Sequence, residues 1–409
     1  MLFGVTGFCG KLTLLHLLQR DYQIKVAVCS RNASRAQEAV EQIKKECTGS
    51  KLNPDVLEAD LVCTTPEQEN VLRKIVKQTK VCITTAGPFE KYGQTLVKLC
   101  AEEGVHYADI TGESDFFRMM IGKYDAVARS SGAVICVHCG NDAIPWDITV
   151  LEMNKLAKSR NCTLTEVNLY TDIPSHTEAS GGTLATAQYQ MSKNRGGPKT
   201  TDFDELLTDS EGKKSKYLLK NKSPKSSVYV DEFGKSGAPW IMTPVMINAI
   251  RRSNALLGYN DNLVCSEMML SVGSTWWETL SSQFSNAVYF AGMQMPALFG
   301  GFIPKPGEGP SRESMDAAYL KLIGRGKMVD NTTGEQTTTC SEWYMDEHAG
   351  YIGTARMLAE AGMLLLDMAN HSTAGSENRA AGVVTPAYAF GSSILERLKD
   401  TTSTTFKIS

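Results

Sequence analysis

Two hydrophobic rhythms alternate along the first third of the chain. Short apolar runs end in glycine or polar residues, and between them apolar residues recur every three or four positions. Residues 1–3 are apolar and lead into Gly4, Gly7 and Gly10, after which Leu12, Leu15 and Leu18 mark a helix. The run from Ile24 to Cys29 reads as a buried strand ending in Ser30 and Arg31. "SRAQEAVEQIKKEC" follows as a helix with Ser34 as its N-cap, "PDVLEADL" as a strand ending at Asp60, and "TPEQENVLRKIVKQT" as a helix opened by Thr65 and Pro66. "KVCITTAGPFEKYG" is a strand broken at Gly87 and Pro88, "QTLVKLCAEEG" a helix, and "VHYADITGES" and "GAVICVHCGNDAIP" two further strands with polar ends. This alternation predicts an α/β fold with a doubly wound parallel sheet over residues 1–148. Ligands of such sheets bind beyond the carboxyl ends of the strands, which places Gly87, Pro88, Phe89, Asp109, Gly112, Glu113, Gly140, Asn141 and Asp142 along one crevice.

Beyond residue 148 the rhythm changes. "CTLTEVNLYTD" alternates apolar and polar residues, as a strand covered on one face does, and begins a second domain, 149–375, expected to serve substrate binding or dimerisation. Ser180, Gly181, Gly182 and Thr183 open a helix whose start either caps itself or holds a substrate carboxylate or phosphate. Gly, Lys and Ser enrich residues 194–227, which read as a surface insertion or mobile loop, with Lys220, Lys222 and Lys225 either solvated or touching anionic head groups. Residues 287–303 are apolar and aromatic, but Gln294, Pro296 and a glycine pair make them a poor membrane span. They read as a core segment, as a dimer contact or as a surface element at a membrane or droplet interface. Residues 376–409 are expected to pack back on the first domain.

The opening stretch carries the first chemistry. Glycines permit a tight turn and close approach of the backbone, and the exposed N–H groups of a helix start hold a pyrophosphate. The spacing G-x-x-G-x-x-G departs from the dinucleotide fingerprint G-x-G-x-x-G, and an ordinary strand-to-helix turn would read the same. The second strand decides. It lacks the acidic residue that usually meets the ribose 2′-hydroxyl and carries Arg31, a partner for a 2′-phosphate or, in the plainer reading, a solvated arginine at a strand end. A Rossmann-type domain favouring NADP(H) over NAD(H) is therefore expected. Its cofactor contacts are expected at Gly4, Thr6, Gly7, Phe8, Cys9, Gly10, Ser30, Arg31, Asn32, Ala86, Gly87, Pro88 and Phe89. Only residues 1–3 precede the first glycine, fewer than the about five or six of an ordinary strand, so the first strand and any targeting segment are expected to extend beyond this sequence.

Composition narrows the choice of partners. With 42 basic and 45 acidic residues among 409 and a formal net charge of −3, the chain offers no concentrated basic face for nucleic acid. Its 11 cysteines are odd in number and, Cys136-x-x-Cys139 apart, lack paired spacing. That points to thiols in a reducing intracellular compartment, cytoplasmic or peripheral on a membrane or lipid droplet, with organellar targeting left open. Cys136 and Cys139 sit on a strand rather than at a helix start, so no redox pair is expected. The absence of H-E-x-x-H and G-x-S-x-G patterns argues against a metal or serine hydrolase, and no metal site is expected.

The stretches "GVTGFCGKL", "AGPFEKYGQTLVKLCAEEGVHYADITGE", "CGNDAIPWDI", "KPGEGPS", "GYIGTARMLAEAG" and "GVVTPAYAFG", in this order, resemble the saccharopine dehydrogenase-like oxidoreductase family. That family includes the bacterial trans-acting enoyl reductases, and the likeness spans nearly the whole chain. It implies a nicotinamide-binding Rossmann domain followed by an α+β domain that closes over it. Saccharopine reductases proper join glutamate to an aldehyde through an imine, the enoyl-reductase branch works on polyketide-derived lipids, and animal members are associated with lipid droplets and membranes. The resemblance thus implies NADP(H)-dependent reduction of a C=C or C=O bond in a hydrophobic or lipid-linked substrate. A homodimer and peripheral contact with a membrane or droplet are further expectations; the competing reading is a nucleotide-binding scaffold at such a surface. Cys9 stands where the family usually has threonine, and a thiol is a weaker partner for phosphate.

Hydride transfer also needs a proton donor or acceptor. The candidates near the crevice are Tyr92, Tyr107, Asp109, His138 and Asp142, with Glu113 as a charge or ribose contact. Each has a plainer alternative: the acids as loop caps, the tyrosines as sheet packing, His138 as a core histidine. No single residue stands out.

Overall fold

The computed structural model describes residues 1–173, 180–193, 204–240, 242–270, 307–371 and 380–409. In chain order the elements begin with β1 (Leu2–Phe3), α1 (Phe8–Arg20), β2 (Ala27–Ser30), α2 (Ala33–Glu46), β3 (Asp55–Glu58), α3 (Pro66–Val76) and β4 (Val81–Thr84). There follow α4 (Phe89–Tyr92), α5 (Gln94–Glu103), β5 (His106–Asp109), α6 (Ser114–Ser131), β6 (Val134–Cys136), α7 (Ile144–Ser159), β7 (Cys162–Asp172) and α8 (Gly181–Lys193). Then come β8 (Leu218–Asn221), β9 (Val228–Val230), β10 (Lys235–Ala238), α9 (Thr243–Leu257), β11 (Asn262–Leu270), α10 (Arg312–Asp316), β12 (Leu320–Asp330) and β13 (Gln336–Met345). The chain closes with α11 (Thr354–His371), β14 (Gly382–Val384), α12 (Pro386–Phe390), α13 (Ser393–Thr401) and β15 (Thr404–Ile408).

These elements form two compact units, the first comprising Met1–Ile144, Thr208–Lys213 and Gly350–Thr402. Its parallel sheet runs β14-β6-β5-β4-β1-β2-β3, so the strand order reverses between β1 and β4, the switch point at which doubly wound sheets bind ligands. Strands β4, β5 and β6 are buried on both faces, which is why β4 and β6 read as largely apolar runs, whereas the edge strand β3 is half exposed. Helix α3 starts as its sequence predicts: Thr65 and Gln68 form a capping box, with Pro66 in the first turn and Arg73 and Lys74 in the last. Helices α5 and α6 stop at Gly104 and Gly132, whose φ of 70° and 81° suits glycine.

Several local expectations are corrected. The N-cap of α2 is Asn32, not Ser34, because the Asn32 side chain accepts the Arg35 N–H at 2.9 Å. Strand β2 begins at Ala27 rather than Ile24, since the Ile24 N–H closes a turn onto the Tyr22 carbonyl. In α1 the buried residues run without a break from Thr13 to Leu18, and Leu12 is half exposed, because α11 covers this helix as well as β4 and β5. Helix α11 belongs to the first unit although the sequence reading placed residues to 375 in the second: ten of its residues, from Thr354 to Leu365, are buried. Gly362 lets it lie against β4, for a Cβ there would stand 2.8 Å from Ile83.

The second unit comprises Pro145–Leu207, Lys214–Ala349 and Ser403–Ser409. Its mixed sheet runs β15-β13-β12-β7-β11-β10-β9, with β8 added parallel to β11. The alternation of β7 is the burial alternation of a strand covered on one face. Two features differ from expectation. Part of the stretch read as a mobile loop is strand β8, because Leu219 is buried and the strand pairs with β11 from Leu218 to Asn221. The end of the chain, β15, pairs with β13 in this sheet rather than packing on the first unit. The apolar stretch 287–303 and residues 194–203 lie outside the described residues. Among the described residues, no helix is long and apolar enough to cross a membrane.

Candidate active site

The loop between β1 and α1 is shaped by its glycines. Gly4 has φ +88°, a conformation few side chains adopt, and packs against Thr85 and Ala86 beyond β4. A Cβ on Gly10 would collide with the Gly4 carbonyl, so glycine lets α1 start close under the loop. Gly7 is the N-cap of α1, with no side-chain cap. Its N–H donates to the Gly4 carbonyl at 2.9 Å and its own carbonyl accepts from Lys11 at 3.0 Å. A Cβ on Gly7 would meet only the Gly4 oxygen, at 3.2 Å, and would otherwise stand in the open. Among the described residues nothing accepts from the N–H groups of Phe8, Cys9 and Gly10. A cradle of bare amides at the positive end of a 13-residue helix fits a pyrophosphate. Thr6 is half exposed beside it, and Phe8 meets Tyr351 edge-on, ring centroids 5.3 Å apart. Burial pushes the Cys9 thiol up to about 12, so it is neutral at the start of α1.

At the end of β2 the Ser30 hydroxyl accepts from the Asn32 N–H at 3.3 Å. Arg31 is exposed, and its guanidinium has no partner among the described residues. The same holds for Arg35, one turn into α2, which the sequence reading missed. Also missed was Glu58, whose carboxylate accepts from the Ala33 N–H at 2.9 Å. Its signal was present in the parallel pairing, for Glu58 ends the neighbouring strand in register with Ser30.

Beyond β4 the Ala86 N–H donates to Thr84 at 3.1 Å, and the Gly87–Pro88 peptide is cis. Ala86 and Gly87 are half exposed, whereas Pro88 and Phe89 are buried. Glu113, expected at the ribose or as a charge, instead spends its two oxygens on the N–H groups of Phe89 at 2.6 Å and Glu90 at 2.9 Å. It is 1% exposed and pins this loop. Tyr92 lies half exposed on α4, with the Lys91 ammonium 5.1 Å from its ring.

The structure gathers three of the proton-transfer candidates into one buried cluster. Asp109 accepts from the Tyr107 hydroxyl at 2.8 Å, the Thr111 N–H at 3.0 Å and the His138 N–H at 3.2 Å. Burial pushes the Asp109 carboxyl up to about 7 against those hydrogen bonds. His138 lies past β6 with φ +61°, not within the strand as expected. Its Nδ1 meets the Thr111 carbonyl, its Nε2 has no partner among the described residues, and burial lowers it to about 4, so the ring is neutral. Tyr107, Asp109 and His138 are at most 1% exposed, so they set the shape of the loops rather than reach a ligand. The Cys136 and Cys139 thiols beside them are buried, their sulfurs 3.4 Å apart.

Asp142 differs from that cluster. It is half exposed on the loop after β6, and burial pushes its carboxyl up to about 6. The loop is held by Thr354, at the start of α11, which accepts from the Asn141 N–H at 3.1 Å. Gly140 packs on the same threonine, 3.0 Å from a would-be Cβ. The turn leading into α11 and its first residue, within the stretch "GYIGTARMLAEAG", thus supply Tyr351 and Thr354 to the loops beyond β1 and β6.

Residues 1–136 match the family model described as the saccharopine dehydrogenase NADP binding domain. A trans-acting enoyl reductase of Mycobacterium ulcerans is 31% identical over 427 residues, covering 98% of this chain and 95% of its own. One from Mycobacterium tuberculosis is 29% identical over 423 residues, covering 97% and 94%. In fold, the chain is similar to apo saccharopine dehydrogenase (L-Glu forming) from Saccharomyces cerevisiae, with a TM-score of 0.55 at 12% identity over 100% of this chain and 99% of that one. Bare amides at the switch point of a parallel sheet and likeness along the whole chain lead to one conclusion: the chain belongs to the saccharopine dehydrogenase-like family of NADP-binding oxidoreductases, which includes the trans-acting enoyl reductases.

Proposed function

We propose that this protein reduces a C=C or C=O bond of a hydrophobic, acyl-type substrate and prefers NADPH to NADH. The observation that carries the reading is the pairing of the bare amides of Phe8, Cys9 and Gly10 with the unpartnered guanidinium of Arg31 beyond the next strand. The amides bind a diphosphate, and Arg31, with Arg35 one turn on, suits a 2′-phosphate. What supports an enoyl or related acyl substrate is the likeness to trans-acting enoyl reductases over 95% of the relative's length.

When bound, the dihydronicotinamide supplies a hydride to the electrophilic carbon. The chain then has to deliver a proton to the other atom of the reduced bond. We assign that step to Asp142, half exposed and with its carboxyl raised to about 6, so that a fraction remains protonated near neutrality. Thr354 and Gly140 hold its loop, and the buried Asp109 cluster sets the chain direction leading into it.

Fluorescence titration with NADPH and NADH tests binding and preference, followed by turnover on enoyl thioesters, ketones, and glutamate with an aldehyde. NADPH oxidation on an enoyl thioester or ketone is the expected result. Oxidation only with glutamate and aldehyde would replace the substrate class, and binding without any turnover would remove the catalytic reading.

A further inference from the structure

Strands β2 and β3 end side by side, with Ser30 and Glu58 in register. Just beyond them α2 begins, and two of its leading N–H groups are already engaged. Asn32 accepts from Arg35, and Glu58 from Ala33, each at 2.9 Å. Glu58 therefore sets a carboxylate at a helix start, where an anion is favoured and where a phosphate would otherwise find an open donor. Arg31 and Arg35 flank the same start, and among the described residues neither guanidinium is paired with Glu58 or any other acid. In a sheet of this strand order, this edge receives the adenosine ribose of a dinucleotide. The acid that β2 lacks is thus supplied from β3.

We propose that Glu58 is a specificity-determining residue that restrains the preference for a 2′-phosphorylated dinucleotide and lets the protein accept the unphosphorylated form as well. The inference rests on the reading that a dinucleotide binds along β1 and β2. A carboxylate here opposes a 2′-phosphate by charge and accepts a hydrogen bond from a 2′-hydroxyl, whereas Arg31 and Arg35 act in the opposite sense. The specificity of the site is the difference between these contributions.

The test is fluorescence titration of the full-length chain and its Glu58→Gln variant with NADPH and NADH, which differ only in the 2′-phosphate. Glutamine keeps an oxygen for the Ala33 N–H, so the start of α2 is retained. The expected result is a ratio of NADH to NADPH dissociation constants that rises roughly three- to tenfold in the variant, the size of one unit charge lost near the phosphate in a solvent-screened site. An unchanged ratio, with the parent chain binding normally, would overturn the role of Glu58 and leave the site in place. Failure of the parent chain to bind either nucleotide would overturn the site itself.

Discussion

In the proposed reading, Gly7 and Arg31 divide the work of nucleotide recognition between shape and charge. A Cβ on Gly7 would project from the open side of the loop and clash with little of the protein. Gly7→Val is therefore expected to abolish binding of NADPH and NADH alike while the melting temperature stays near that of the parent, a pair of outcomes that titration and a thermal melt separate. Arg31→Asp removes an unpartnered charge and should weaken NADPH roughly ten- to a hundredfold while sparing NADH, the scale of a lost charge-assisted hydrogen bond. Equal losses for both nucleotides would assign Arg31 another role. For Asp142, whose carboxyl is raised to about 6, turnover that uses the protonated acid should decline as pH rises above that value. Asp142→Asn should lower kcat and flatten that limb of the profile, with nucleotide affinity unchanged. A variant keeping both rate and profile would remove Asp142 from the proton-transfer step.

Helix α1 owes its position to more than the glycine loop. Glu360 on α11 is fully buried and accepts from His16 Nε2 at 2.6 Å, from the Tyr22 hydroxyl at 2.7 and 2.8 Å, and from Arg397 Nε at 2.6 Å, tying α1, α11 and α13 together. Burial pushes its carboxyl up, but the hydrogen bonds from His16, Tyr22 and Arg397 outweigh it and hold it below the ordinary range. The stability this gives is present above the unfolded-state value and is lost as pH falls through the lowered one. Glu360→Ala leaves the buried His16 and the Tyr22 hydroxyl without their acceptor, while Arg397 keeps Asp367 at 3.1 Å, and chemical denaturation should show a loss of about 1–3 kcal/mol. Nucleotide affinity should fall too, since the same helix start forms the cradle.

At the scale of the whole molecule, the buried Asp109 cluster couples global stability to pH. Its carboxyl rises from the ordinary 3.8 to about 7, so the folded chain keeps a proton that the unfolded chain releases, and stability declines as pH rises from about 4 to about 7. His138, lowered to about 4, acts oppositely: the unfolded chain takes up a proton below about 6.5, so stability from this group increases with pH over much of the same window. Asp109→Asn keeps an oxygen for the Thr111 and His138 N–H groups and offers Tyr107 a donor. Denaturation across this window should show the variant gaining on the parent as pH rises, whereas a constant difference would mean that Asp109 does not titrate there.

Much of this protein is written locally. Three glycines after an apolar run, Thr65 and Pro66 before a helix, and apolar strands between amphipathic helices determine the parallel sheet and the glycine loop with its bare amides, because helix caps, turns and hydrophobic periodicity are properties of a few consecutive residues. The motif likeness likewise located the family from chain order alone. Tertiary structure decided what depends on residues distant in sequence. It brought Glu58 beside Ser30, laid Glu360 against His16 across 344 positions, turned Glu113 from a ligand candidate into a loop anchor, and buried Tyr107, Asp109 and His138 together while leaving Asp142 half exposed. Burial and partner choice are set by whatever the folded chain places alongside a side chain, and local pattern carries no record of that neighbour.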